Sequence, residues 1–238
     1  MKKVSFLILL LISPIATLSA QEPLILKNQM PNAVNFLPAP PDTASAAFQY
    51  DKEQYRWGIE QRKDSVRRAI AIGDAVWSVE NICNILSEPF GMKISPETTP
   101  AIYHMVGVGV MTTEQAAKNP KEHYMRTRPY VYYGEPTLVP EDEEGLRHNG
   151  SYPSGHTILG WTTALLLSEV NPDSADAILA RGYMYGQSRV IAGFHWQSDV
   201  DAGRLVASVA VVRIHADPRF LKLMEAACEE YKKLTNKK

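Results

Sequence analysis

The sequence predicts an all-α protein, built as a single-domain helical bundle. Apolar residues recur at helix-compatible spacings along most of the chain, whereas few segments alternate with the period of two that marks strands. The 238 residues fit one ordinary globular domain, and no internal repeat or second domain boundary is visible. Hydrophobic residues make up 45% of the chain and charged residues 21%, so it has enough apolar surface to fold.

Residues 1–20 have the pattern of a cleavable secretory signal peptide. Lys2 and Lys3 precede a short apolar run at 6–12, and small residues follow before the polar residues that come after Ala20. The apolar run is too short to span a bilayer, so we expect a signal that is cleaved after Ala20. Leu18 departs from the pattern, because a small residue is preferred at the third position before the cleavage site. An uncleaved anchor is the alternative. Export places the mature protein in the periplasm or outside the cell.

A proline-rich arm follows the signal at residues 21–47, and the helical domain occupies 48–238. The arm contains five prolines, which favour extended backbone, so we expect it to lie over the domain or to lead into it. No later segment reaches the eighteen or so apolar residues of a transmembrane helix, and we therefore expect no membrane association after signal cleavage.

Helical spacing begins at Phe48 and continues to about Leu86, with a second helix predicted to begin at Asp74. The Glu88–Gly91 segment, which contains proline and glycine, breaks the pattern. A loop-rich section covers about 130–151. The remaining predicted helices span 95–111, 155–169, 173–192, 197–214 and 217–235.

Charge and cysteine content exclude some classes of function. The formal net charge of -1 becomes -1 - 2 = -3 without Lys2 and Lys3, so there is no basic surplus to attract nucleic acid. The acidic run 141–144 is expected to be a solvated loop face. Cys83 and Cys228 could form a disulfide after export or remain separate thiols, and neither has a partner at metal-ligand spacing, so no metal site is predicted.

Three separated clusters carry the residues needed to bind a phosphate group. Lys121, Arg128 and Arg189 would supply three cations, of which the two arginines can form bidentate contacts with an oxyanion. Ser154 stands where a loop enters a helix, and there it can cap the helix while the first backbone N–H groups face an anion. Gly155 lets an oxyanion approach the backbone without a Cβ in the way.

Two histidines and one carboxylate could perform the chemistry. Asp199 follows His195 by four residues, so its carboxylate can hold one imidazole nitrogen as N–H and leave the other with a free lone pair. A free lone pair is what a nucleophile requires. Each cluster alone is also typical of surface charge, a capped helix or a surface helix pair. Ser188, beside Arg189, could equally have no role beyond packing or capping a helix.

Taken together, the clusters resemble the signature of the type 2 phosphatidic acid phosphatase superfamily. That signature reads Lys-x6-Arg-Pro, then Pro-Ser-Gly-His, then Ser-Arg-x5-His-x3-Asp. The longer strings at 150–157 and 188–201, and the proline-rich segment 36–42, are similar to class A bacterial nonspecific acid phosphatases. The resemblance covers about residues 36–215. Every motif position is filled in this chain, by Lys121, Arg128, Pro129, Pro153, Ser154, Gly155, His156, Ser188, Arg189, His195 and Asp199.

The resemblance implies the fold of the acid phosphatases and vanadium-dependent haloperoxidases, and hydrolysis of phosphate monoesters. The resemblance further implies that His195 becomes phosphorylated, that Asp199 orients the His195 ring, and that His156 protonates the leaving alcohol and then activates water. The cations and the amides near Ser154 and Gly155 stabilise the transferring group.

The resemblance also bears on cofactors and partners. No cofactor is implied, and vanadate, tungstate or molybdate should inhibit as phosphate mimics. Substrates should be small phosphomonoesters of broad range, with some transfer of phosphate to alcohols, and inorganic phosphate should bind. A homo-oligomer is implied as well. His123 and His148 are the other histidines expected near the mouth of the site, and Tyr152 would either shape entry or only pack.

Three other functions fit parts of the same pattern. A vanadium-dependent haloperoxidase uses the same cradle to hold vanadate. A lipid phosphatase of this superfamily would carry several transmembrane helices. A non-catalytic periplasmic phosphate-binding protein would need the three cations but not His156, His195 and Asp199 together.

Overall fold

The computed structural model describes residues 22–236, and the predicted signal peptide lies outside them. The described residues contain α-helices and short 3-10 turns and no strand, so the all-α prediction is confirmed. The α-helices are α1 (Ala46–Gln61), α2 (Ser65–Gly73), α3 (Val79–Phe90), α4 (Pro100–Thr113), α5 (Gln115–Tyr124), α6 (Pro129–Tyr133), α7 (Glu143–Arg147), α8 (Gly155–Val170), α9 (Ala175–Ile191), α10 (Gln197–His215) and α11 (Pro218–Thr235).

The last four helices begin and end within two residues of their predicted limits. The break after Glu88 is also confirmed, because α3 ends at Phe90 and Gly91 adopts a left-handed conformation with φ of +86°. Glycine has no Cβ to oppose that conformation, so it ends the helix at little cost.

Two predicted helix starts are wrong. Asp74 does not begin a helix but follows the end of α2. The start of α2 is set by Asp64, whose carboxylate accepts hydrogen bonds from the N–H groups of Val66 and Arg67. Ser95 does not open a helix either, because its hydroxyl accepts the N–H of Thr98 in a local turn. The next helix begins only at Pro100.

Helix α8 lies at the centre of the domain and packs against α4, α9 and α10. Most of its side chains are buried on every face, as expected for a core helix rather than a surface one. Small residues let α9 approach closely: a Cβ at Gly160 would overlap the ring of Tyr185, and one at Gly182 would overlap the Cβ of Ala164. This contact fixes the start of α8 relative to the end of α9.

The arm lies along the domain on the side of α4 and α11. Its Ile25, Met30 and Ala33 are buried in the main hydrophobic core. The N–H of Leu24 donates to Thr112 Oγ1 at 3.0 Å, and the Arg219 side chain donates to the Leu24 carbonyl at 2.7 Å. Cys83 is buried, Cys228 is partly buried, and both are free thiols, so the disulfide alternative is not realised. Among residues 22–236 no helix is long and apolar enough to cross a membrane.

Candidate active site

A cleft of about 890 Å³ opens at the N-terminus of α8. Of the predicted site residues, Lys121, Arg128, Gly155, His156 and His195 line it. The other three do not line it but lie in the same region: Ser154, Arg189 and Asp199 are fully buried, with exposed fractions of 0%. The structure therefore brings all eight predicted residues into one region, although they come from three separate clusters of the sequence.

His195 lies in the turn between α9 and α10, with a partner on each ring nitrogen. Its Nδ1 is 3.3 Å from Asp199 Oδ2, and its Nε2 is 3.1 Å from Arg128 Nη1. A guanidinium group can only donate hydrogen bonds, so Nε2 must accept and the ring proton must sit on Nδ1, facing the carboxylate. The geometry thus assigns the tautomer, with the lone pair of Nε2 on the side of the cleft cations.

The same surroundings keep the His195 ring neutral. Burial lowers its pKa well below the usual value, and the charges of Arg128, Lys121 and Arg189 lower it further, while a backbone contact with Ser151 acts in the opposite direction. A ring that does not bind a second proton keeps the Nε2 lone pair unprotonated even in acidic solution, and a ligand that displaces the Arg128 hydrogen bond makes that lone pair available.

Arg128 is held rigidly as the residue that precedes α6. Its Nε donates to the carbonyls of Leu146 and Asn149 at 2.9 and 3.1 Å, and its Nη1 donates to the carbonyl of Phe194 at 3.1 Å. Pro129 occupies the first helical position of α6, where a missing N–H costs nothing. These contacts fix the guanidinium before any ligand arrives.

Lys121 lies in the last turn of α5 and reaches across to the loop before α8. Its Nζ donates to the Gly150 carbonyl at 2.7 Å. Burial, followed by the charge of Arg128, lowers its pKa to about 7. The two segments approach so closely that a Cβ at Gly150 would lie 2.5 Å from the Lys121 carbonyl oxygen, which explains why glycine is needed there.

Arg189, near the end of α9, is buried without a hydrogen-bond partner. Its Nε, Nη1 and Nη2 atoms find no acceptor among the residues that the structure describes. The Phe194 ring lies 4.5 Å from the guanidinium carbon, and burial lowers the pKa of Arg189 to about 10. Gly193, with φ of +87°, makes the turn that places Phe194 between the two arginines. A buried cation with three unpaired donors is a strong anion-binding element.

The start of α8 is capped by Ser154, whose Oγ accepts the N–H of Thr157 at 3.3 Å. The Ser154 N–H itself donates to the Asp199 carbonyl at 2.9 Å, so this amide is already occupied. The predicted contribution of amides is therefore restricted to the first helical residues, Gly155 and His156. A Cβ on Gly155 would stand 3.6 Å from the Trp77 ring, toward the cleft.

His156 faces the cleft from the first turn of α8. Its Nε2 is 2.9 Å from the Ala75 carbonyl, so this nitrogen donates and Nδ1 is left to exchange a proton. The Trp77 ring packs edge-on against it at 4.7 Å. Burial, with a further contribution from Arg189, lowers its pKa well below the usual value, although the Ala75 carbonyl opposes this.

Other polar residues that sequence reasoning did not assign support this site. Arg126 bridges Asp199 and Asp51, and Ser188 donates to Asp74 Oδ2 at 2.6 Å while Arg181 pairs with the same carboxylate. Asp74 adjoins Ala75, so this second cluster fixes the loop that contacts His156. The only sequence signal for Arg126 was its proximity to Arg128, whereas Ser188 occupies a position of the family signature.

Three residues considered for the cleft mouth lie elsewhere. Tyr152 is buried, and its hydroxyl donates to the Pro38 carbonyl at 2.9 Å, so it packs the arm rather than shaping entry. His123 is exposed and packs against Tyr124, and His148 is exposed beside Glu144. In the described part of the chain the cleft is also lined by residues that were not predicted for it, among them Ile72, Val76, Trp77, Glu114, Glu141 and Asp142. The acidic run is thus partly a cleft wall and not only a solvated face.

Comparisons with known proteins agree with this geometry. Residues 103–221 match the model of the PAP2 superfamily. A non-specific acid phosphatase of Providencia stuartii is 44% identical over 211 residues, which covers 88% of this chain and 85% of that protein. A non-specific acid phosphatase of Salmonella typhimurium is 42% identical over 226 residues, covering 94% and 90%.

An acid phosphatase of Zymomonas mobilis is 36% identical over 195 residues, covering 82% of this chain and 74% of that protein. The matched regions include every residue that lines the candidate active site from Lys121 to His195. On these grounds the chain belongs to the PAP2 superfamily and, within it, to the group of bacterial non-specific acid phosphatases.

Proposed function

We propose that this protein is an acid phosphatase that hydrolyses small phosphate monoesters through a phosphohistidine on His195. One observation carries the proposal. The three guanidinium nitrogens of Arg189 are buried without a partner among the described residues, and a neutral His195 lies beside them. A tetrahedral dianion between them satisfies the guanidinium donors and presents phosphorus to the lone pair of Nε2.

In the first step, the Nε2 lone pair of His195 attacks phosphorus in line with the ester oxygen. The P–O bond breaks, and the leaving oxygen takes the proton from Nδ1 of His156. Asp199 holds the Nδ1 proton of His195 and stabilises the positive charge that the phosphorylated ring acquires. Lys121, Arg128 and Arg189, with the amides of Gly155 and His156, stabilise the equatorial oxygens.

In the second step, His156 acts as a base. Its Nδ1 removes a proton from water, the resulting oxygen attacks phosphorus, and the P–N bond breaks. The electron pair returns to Nε2 of His195, and inorganic phosphate leaves. An alcohol can replace water in this step, so we expect phosphate transfer to alcohols as well.

The test is hydrolysis of p-nitrophenyl phosphate by the purified protein, with His195→Ala as the variant and His148→Ala as its control. His148 is exposed and lies beside the equally exposed side chain of Glu144, so its loss should change little. We expect no turnover in His195→Ala with the fold intact by circular dichroism. In the active protein, 31P NMR of quenched reactions should detect an acid-labile, base-stable phosphohistidine. Robust hydrolysis by His195→Ala would refute the covalent route.

Vanadate separates this proposal from its closest rival. We propose that no metal or other cofactor is needed, because side-chain cations supply the positive charge, so a chelator should leave activity unchanged. Vanadate, tungstate and molybdate should inhibit. If vanadate instead created bromide-dependent peroxidase activity, the protein would be a haloperoxidase. Phosphate binding without any ester hydrolysis would indicate a binding protein.

The site of action and the assembly state belong to the same proposal. The signal-like segment 1–20 supports a periplasmic or secreted location, which fractionation of producing cells would test. Leu205 and Val212 are exposed on α10 at a spacing of two helical turns, which supports contact between copies of the chain. Sedimentation velocity of the wild-type protein and of Val212→Glu would test this.

A further inference from the structure

Both carboxylate oxygens of Asp199 have fixed partners, and only one of them faces His195. Oδ2 lies 3.3 Å from His195 Nδ1 and accepts the N–H of Trp196 at 2.9 Å. Oδ1 accepts a hydrogen bond from Arg126 Nη1 at 2.5 Å. Asp199 is fully buried, so no solvent competes for these contacts. The direction in which its carboxylate points is therefore set jointly by Arg126 and the start of α10.

Arg126 is in turn fixed by a second buried carboxylate. Its Nη2 donates to Asp51 Oδ2 at 2.7 Å, and the Arg126 side chain is only 8% exposed. Asp51 also accepts the N–H of Ser198 at 2.8 Å and its hydroxyl at 2.6 Å. The guanidinium carbon lies 5.6 Å from the Trp196 ring. Charge, hydrogen bonds and packing thus hold one orientation of Arg126.

Asp51 lies on α1, outside the region 103–221 that matches the superfamily model. It does not line the cleft, and the same holds for Arg126. In the proposed function Lys121, Arg128 and Arg189 bind the phosphate, so Arg126 is not needed for ground-state binding. What Arg126 can change is the carboxylate that holds the Nδ1 proton of His195.

We propose that Arg126 is a positioning residue for the phosphoryl-transfer step, and that Asp51 keeps it in place. The inference rests on the proposed function. Without Arg126, Asp199 loses the cation that fixes Oδ1, so the carboxylate can rotate away from His195. The Nδ1 proton then loses the acceptor that orients the ring and stabilises the positive charge of the phosphorylated form. The outer partners of metal-binding histidines act in the same way, and their loss costs about 10- to 100-fold in activity.

The test compares Arg126→Gln with Arg126→Lys, with the double variant Asp51→Asn/Arg126→Gln, and with Arg204→Gln as a matched control. Arg204 is also a mostly buried arginine paired with an aspartate on α10, but its partner is Asp201. We expect kcat of Arg126→Gln to fall about 10- to 100-fold while KM for p-nitrophenyl phosphate stays unchanged. Arg126→Lys should recover part of kcat, and Arg204→Gln should keep all of it.

The double variant separates positioning from stability. Arg126→Gln leaves two buried carboxylates without a cation and should unfold at lower temperature. Neutralising Asp51 as well should restore much of the melting temperature but not kcat, since Asp199 still lacks its cation. If Arg126→Gln does not fold, the double variant alone carries the comparison. Recovery of kcat together with stability would overturn the proposal, and so would an increase in KM with kcat intact.

A second readout does not depend on turnover. Proton NMR should show the Nδ1 proton of His195 far downfield, as in a strong hydrogen bond to a carboxylate, in the wild type and in Arg204→Gln, and shifted back upfield in the double variant. An unchanged shift of the Nδ1 proton there would overturn the positioning role. If the wild-type protein hydrolysed no ester at all, the proposed function would fail, but the NMR comparison would still decide whether Arg126 controls the His195 proton.

Discussion

Replacing Arg189 with methionine should make the ligand-free protein more stable while abolishing its activity. Methionine keeps the unbranched stem of the side chain but removes a buried charge that has no hydrogen-bond acceptor among the described residues. Burial lowers the pKa of Arg189 well below the usual value of a guanidinium group, to about 10. At 1.36 kcal/mol for each pH unit, keeping this residue charged in the free site costs about 3 kcal/mol.

This cost is present throughout the working pH range. The folded-state pKa lies below the unfolded one, so the unfolded chain binds the extra proton only between about pH 10 and the higher pKa of a free guanidinium group. Stability rises with pH only in that window. Below that window the penalty is constant. A gain of about 3 kcal/mol corresponds to an increase in melting temperature of about 6–12 °C for a domain of this size, as an upper limit.

The assay is calorimetry in phosphate-free buffer, with and without added inorganic phosphate. The wild type should gain stability from phosphate, by about 2.7 kcal/mol when phosphate reaches 100 times its dissociation constant. Arg189→Met should begin higher and gain little. Arg181→Met is the matched control, since Arg181 lies on the same helix α9 but is paired with Asp74, so its loss should lower the melting temperature. If Arg189→Met were less stable than the wild type without phosphate, the guanidinium would not be the uncompensated charge that the geometry indicates.

Three more predictions follow from individual contacts. The pH profile of kcat/KM should peak in the acidic range, because His156 must be protonated to donate and its pKa lies well below the usual value; a peak well above neutrality would contradict this. Inhibition by phosphate should weaken above neutral pH in the wild type, because Lys121, with a pKa of about 7, loses its charge there. In Lys121→Arg the inhibition should persist, and inhibition constants measured across the pH range would show the difference. Gly160→Ala should be destabilised by about 1–3 kcal/mol in urea unfolding despite the helix preference of alanine, because the added Cβ meets the Tyr185 ring. The control Gly73→Ala should be neutral or slightly stabilising, because nothing lies within 4 Å of its added Cβ.

The sequence predicted the last four helices well because apolar periodicity and start signals agree there. At Ser95 and Asp74 the same signals were misleading, since a side chain that can cap a helix can also serve other partners. Ser95 closes a local turn, and the Asp74 carboxylate pairs with Arg181 and accepts a hydrogen bond from Ser188. A capping residue identifies a position where its oxygen is needed, but only the fold decides which donor it meets.

Most site residues were predicted from chemistry that is local to each cluster: a cap, three cations, and a histidine four residues before an aspartate. The role of His156 was instead implied by the family resemblance. Arg126 and Asp51 could not be found in this way. They are 75 residues apart, and nothing in the spacing of either one indicates that α1 lies against the loop before α6. Tyr152, which stands inside the recognised string, illustrates the opposite case, because its place in the motif reflects packing on Pro38.

The charges of the cleft have one physical consequence for how the site works. Lys121, Arg128 and Arg189 lower the pKa of His195, and Arg128 and Arg189 do the same to His156, after burial itself. Arrival of a phosphate dianion compensates these cations, so it must raise the proton affinity of both rings. For His195 the lone pair is then committed to phosphorus, and the bound proton can only go to His156, the ring that has to donate it. In the proposed mechanism the substrate itself therefore charges the acid, and the free enzyme keeps its nucleophile neutral until that moment.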